Sequence, residues 1–115
     1  MANTFKLVTK AGVTSADVIY TAASSTTTVI IGLMLGNTTS ASTTVTVSLG
    51  SDTANRAGDN NEANQTVELI TATTIPGNSS LEIMAGNKIN MEATDTLSVT
   101  AGASTDVILS IMEIT

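Results

Sequence analysis

Glu82 and Glu92 are the two carboxylates that this sequence is best placed to bring together. They lie in two strand-like runs, Ser80 to Met84 and Lys88 to Glu92, joined by Ala85-Gly86-Asn87, whose residue types suit a three-residue hairpin loop. Paired carboxylates do general acid/base chemistry when a shaped pocket tunes the pKa of one of them. No such pocket is legible here, and both are expected on the solvated face of the hairpin. Asp59-Asn60-Asn61-Glu62 offers hard oxygen ligands of the kind Ca²⁺ takes, but lacks the Asp-x-Asp-x-Asp-Gly spacing of an EF-hand loop. It reads as a solvated polar loop tip. Arg56, the only arginine, lies in the same stretch. It is either a docking contact, since arginine is favoured at interfaces, or a charge that keeps the loop in water.

The rest of the chemical inventory is short. The 115 residues include no histidine, cysteine or tryptophan, with one tyrosine (Tyr20) and one phenylalanine (Phe5). Serines are present, but there is no histidine to activate one and no Gly-x-Ser-x-Gly elbow. No phosphate-binding glycine pattern occurs. The sequence therefore predicts a non-enzyme with no catalytic residue, no cofactor and no metal. Aromatic platforms for sugars or bases are nearly absent. A net charge of −6 argues against a nucleic-acid partner, which needs a basic surface. No run reaches the roughly 18 apolar residues of a membrane span. The stretch Met1-Ala2-Asn3-Thr4-Phe5-Lys6 has no apolar signal-peptide core, so use without secretion is expected. On that expectation the acceptor-like triplets Asn37-Thr38-Thr39, Asn64-Gln65-Thr66 and Asn78-Ser79-Ser80 are accidental.

The length suits one domain, 1–115, with enough chain for a core without staples. Period-2 alternation recurs throughout, punctuated by turn residues, and no long run carries a helical period. Strands are predicted over Thr4–Thr9, Asp17–Thr21, Thr26–Leu35, Thr43–Leu49, Thr66–Ile75, Thr94–Thr100 and Asp106–Ile114, besides the two runs of the proposed hairpin. Gly50 to Gln65 is a long polar break with no large apolar residue, expected on the surface. Pro76-Gly77 fits the two central positions of a type II turn. Eight or nine short strands make an all-β sandwich of jelly-roll type. Its predicted core is Val29, Ile31, Leu33, Val45, Val47, Leu49, Leu97, Val99, Leu109 and Ile111.

Two of these segments are apolar on both faces. Beside the row Val29, Ile31, Leu33, Leu35 stand Ile30 and Met34; beside Val107, Leu109, Ile111 stand Ile108, Met112 and Ile114. A strand with one buried face needs one apolar row. A small domain cannot easily cover both faces of its own sheet, so the second rows predict burial against another subunit. Ile30, Met34, Ile108, Met112 and Ile114, with Arg56, form the predicted interface.

The chain resembles a family of small virion structural proteins of tailed bacteriophages, marine and cyanobacterial ones especially. The resemblance runs through Val18-Ile19-Tyr20-Thr21, Thr28-Val29-Ile30-Ile31-Gly32-Leu33, Gly36-Asn37-Thr38-Thr39, Pro76-Gly77-Asn78-Ser79-Ser80-Leu81-Glu82, Ala85-Gly86-Asn87-Lys88 and Val107 to Ile114. Where the family usually has a Pro-Ala-Gly turn after the tyrosine, this chain has Ala22-Ala23-Ser24-Ser25. The resemblance implies a virion location, with assembly in the host cytoplasm. The partners it implies are further copies of the chain (a homo-oligomer, a trimer being one form) and the major capsid or other virion proteins. Within a virion, capsid decoration as a cement protein is the first role expected, since it fits the acidic, aromatic-poor, thiol-free composition and the second apolar rows. A neck, tail or baseplate part is the second; a receptor- or carbohydrate-binding module, a third from a different class, is disfavoured because only Tyr20 and Phe5 could stack on a sugar.

Overall fold

A computed structural model describes residues 2–52, 64–84 and 86–115. Its strands are β1 (Asn3–Val13), β2 (Ala16–Thr21), β3 (Thr27–Asn37), β4 (Thr43–Ser51), β5 (Gln65–Ile75), β6 (Ser80–Glu82), β7 (Ile89–Met91), β8 (Thr96–Ala101) and β9 (Thr105–Ile114). The Thr/Val-rich composition favours this state, because β-branched side chains pack well on a pleated surface. The strands form two antiparallel sheets. Sheet A runs β1-β9-β3-β6, with β7 also on β3; sheet B runs β2-β8-β4-β5. The sheets pack as a jelly-roll-like sandwich, so the fold is all-β as the alternation predicts.

Between the sheets lie Leu33, Leu35, Val107, Leu109 and Ile111 from sheet A and Val45, Val47, Leu97 and Val99 from sheet B, all buried. Leu49 is half-buried and packs against them. Val29 and Ile31 depart from expectation, and so does Ile30. The β3–β9 register slips between Ile30 and Gly32, with Ile30 opposite Ile111 and Gly32 opposite Ser110. Ile31 is the extra residue of a β-bulge. A bulge shifts the side-chain phase by one residue. Upstream of it Ile30 points into the core, and downstream Leu33 and Leu35 do. Val29, opposite Met112, is therefore on the outer face. Ile30 is completely buried, and its predicted place at an interface is corrected.

The expected hairpin of residues 80–92 does not form. β6 pairs with Met34 to Gly36 and β7 with Thr28 to Ile30, both antiparallel to β3. They are two pieces of one interrupted edge strand, so Glu82 and Glu92 do not meet across a hairpin. The interruption falls opposite the β3 bulge, where the ladder loses its register. The turn after Pro76 is displaced by one residue. Ser79 N–H donates to Pro76 O, and the positive φ belongs to Asn78. Gly77 serves a different need: a Cβ there would sit 2.3 Å from Ser40 O. The central part of the predicted 50–65 loop lies outside the described residues.

At one end of the sandwich the sheets are tied by polar groups. Tyr20, on β2, donates to Glu113 Oε2 at 2.6 Å, and its oxygen lies 2.8 Å from Thr28 Oγ1. Lys6 Nζ on β1 reaches Glu113 Oε1 at 2.7 Å. A bulge at Ile19, between Val18 and Tyr20, turns the tyrosine inward. At the other end Asn37 is buried. Its Nδ2 donates to Ala41 O and Ile75 O, while its Oδ1 accepts from Thr39 N.

Candidate assembly surface

The outer face of sheet A follows from register alone. In β9 the odd-numbered residues Val107, Leu109 and Ile111 are buried, so Ile108, Ser110, Met112 and Ile114 face away from the core. Residues directly opposite them share that face. One transverse row therefore reads Phe5, Met112, Val29, Asn90, and the next reads Leu7, Ser110, Gly32. A third reads Thr9, Ile108, Met34, Glu82. Phe5 is 73% exposed, Leu7 65%, Ile108 46% and Met34 39%. Met112, Ile114, Val29 and Ile31 are half-buried on the same side. Gly32 leaves a shallow dent of about 180 Å³, walled by Met34, Ile108, Ser110 and Glu82.

Of the residues expected at the interface, the structure thus gathers Met34, Ile108, Met112 and Ile114 on one face. Ile30 is behind it in the core, and Arg56 lies outside the described residues. The face also contains residues the interface reading left out. Phe5 and Leu7 are its most exposed large apolar members. Their alternation with Lys6 and Val8 was legible, but which of two alternating faces looks outward depends on the partner strand. Val29 and Ile31 join it because of the bulge.

Lys6 holds the Glu113 carboxyl below the usual carboxylate range through its hydrogen bond, and Tyr20 adds to the effect. Burial is the main cause of the raised pKa of Tyr20. Lys10 Nζ lies 3.4 Å from Asp17 Oδ2. Asp106 Oδ1 accepts from Gly12 N–H at 2.9 Å, where β1 bulges at a positive φ. Among the described residues no group of three or more acidic side chains is placed to hold a metal ion. The Asp59 to Glu62 cluster lies outside them.

No family model matches the chain, and no curated protein does. Solved structures give distant likenesses. One is to a chain of the Bacillus endospore appendages, described as disulfide-linked pili, at 14% identity and a TM-score of 0.47 over 99% of this chain and 87% of that one. Another is to a chain of infectious bursal disease virus, Gx strain, at 9% identity and a TM-score of 0.48, covering 98% of this chain and 37% of that one. A third, from a crystal structure of a particle of the same virus, gives 8% identity and a TM-score of 0.48, covering 96% and 35%. This chain spans little more than a third of the two viral chains.

Proposed function

We propose that the protein is a non-enzymatic structural subunit of a tailed-bacteriophage virion that decorates and cements the capsid as a small oligomer. The observation that carries this reading is the apolar outer face of sheet A. Phe5, Leu7, Met34 and Ile108 together leave on the order of 400 Å² of apolar side chain bare, the size of patch that on a monomer is often functional. A standard protein–protein interface takes roughly 800 Å² from each partner, a little over half of it apolar. The bare apolar area of the face is close to the apolar share of such an interface. The sequence resemblance points to a virion, and the acidic, thiol-free, aromatic-poor composition supports scaffolding over catalysis. The occupant of the face is a neighbouring virion protein, the major capsid protein in the decoration role.

Mixing the purified protein with particles that lack it tests the role. Saturation at hundreds of copies per particle supports decoration, whereas tens or fewer would place the chain in the neck, tail or baseplate. Ile108→Asp and Met34→Asp are expected to fold and to lose particle binding. Undiminished binding by both variants would remove the outer face from the interface.

A further inference from the structure

A sheet edge carries unpaired N–H and C=O groups, and proteins blunt such edges with short strands, bulges and charges. Four edges occur among the described strands, and three are blunted. In sheet B, β2 has six residues and a bulge. β5 slips register twice against β4 and holds Ala72 at a positive φ. On one side of sheet A, β6 and β7 are three residues each. The fourth edge is β1. It bulges only at its far end, at Gly12; from Asn3 to Lys10 it follows β9 in unbroken register, and it contains no proline. Its two lysines are the expected guards of such an edge, yet Lys6 is paired with Glu113 and Lys10 with Asp17.

From this contrast we infer that two copies of the chain join through their β1 edges, antiparallel and centred on Leu7, so that sheet A continues across a two-fold axis. The hydrogen-bond phase of β1 supports that centre. Ala2 and Thr115 exchange both backbone bonds, at 3.2 and 3.0 Å. Alternation along an antiparallel ladder then turns the N–H and C=O of Thr4, Lys6, Val8 and Lys10 toward β9. Those of Asn3, Phe5, Leu7 and Thr9 point to the open edge. With Leu7 opposite the partner subunit's Leu7, Phe5 lies opposite the partner subunit's Thr9, and Phe5 reaches diagonally to the partner's Leu7. Lys6 then faces the partner's Val8 and Lys10 faces the partner's Thr4. Centring on Lys6 would instead set two ammonium groups against each other. This register opposes no like charges and brings Leu7 and Phe5 of the two copies together, which suits a second copy as the occupant. The contact deepens the structural-subunit reading: it doubles the apolar outer face that docks on the particle.

Thr9→Pro tests the edge. It deletes an N–H that β9 does not use, so the fold is expected to survive with a melting temperature near the parent's. By symmetry it removes two hydrogen bonds from the dimer, and a rise in dimer Kd of about tenfold or more is expected in analytical ultracentrifugation. Thr9→Val, which keeps the N–H, should dimerise like the parent. Register is read by cross-linking single-cysteine variants with a short bismaleimide. Leu7→Cys should link several times more efficiently than Phe5→Cys. A parent that is monomeric or trimeric, a Thr9→Pro dimer of unchanged affinity, or equal linking at both positions would each overturn the inference. Particle binding of Ile108→Asp is measured separately, so a failed edge leaves the docking face standing or falling by itself.

Discussion

Glu113 joins strands of both sheets through one carboxylate. Lys6 and Tyr20 both bond its charged form, which is why its pKa is depressed. A depressed carboxylate stabilises the fold fully above the unfolded pKa of about 4.3, and the contribution is lost as pH falls through the folded value. The melting temperature of Glu113→Gln is therefore expected below the parent's at neutral pH, with the gap closing as the medium is taken from about pH 6 to about pH 3. A gap independent of pH would mean that the carboxylate's charge contributes nothing. Gly77 makes the second residue-scale case. Gly77→Ala forces a Cβ into the Ser40 backbone, and a loss of about 1–3 kcal/mol in chemical denaturation is expected. Gly36→Ala, where the added carbon meets nothing within 4 Å, should be near neutral. The special status of Gly77 was legible from Pro76-Gly77. Its cause was not, because the backbone it nearly touches belongs to a segment more than thirty residues away.

Alternation identified the strands well, since each buried row is written directly in the sequence as every second residue. Val45 and Val47, and Leu97 and Val99, were placed correctly on that basis. What alternation cannot contain is a bulge, which depends on both strands of a pair. The string Val29-Ile30-Ile31 is apolar throughout, so the phase of β3 ahead of the bulge has no local signature, and core and outer residues were exchanged there, while Leu33, Met34 and Leu35 beyond it fall as the alternation predicts. The same limit hid the fate of residues 80–92: their turn residues suggested a hairpin, and only β3 decides that both pieces pair with it instead. The bulge makes a sharp test. Ile30→Asp buries an unpaired carboxylate and should unfold the protein, at a cost of several kcal/mol. Ile31→Asp, one residue along and half-buried on the outer side, should leave a cooperative melt. Equal damage from the two would refute the bulge. The β4–β5 connection gives another test at this scale. Ser51 lies opposite Gln65. Replacing 53–63 with a short Gly/Ser loop, sized for a hairpin, should keep the cooperative transition. Its disappearance would show that the replaced segment supports the core.

At the scale of the whole molecule, two properties oppose each other in assembly. Each copy carries a net charge of −6, so like copies repel over distances set by the Debye length. The surfaces that would meet are apolar side chains and backbone edge groups, which salt scarcely weakens. Self-association should therefore tighten as NaCl is raised from about 20 mM to about 500 mM, because screening removes the repulsion and leaves the attraction. It should also show a negative heat-capacity change, the signature of buried apolar surface. An assembly held by ion pairs would behave in the opposite way and loosen with salt. Sedimentation equilibrium across a salt series, with calorimetry of dilution at several temperatures, separates the two. Loosening with salt would sink the assignment of Phe5, Leu7 and their neighbours as the contact. The distribution of charged groups argues for the first outcome: Lys6 and Lys10 on the open strand are bound to acids of their own subunit, and are not held out for a partner.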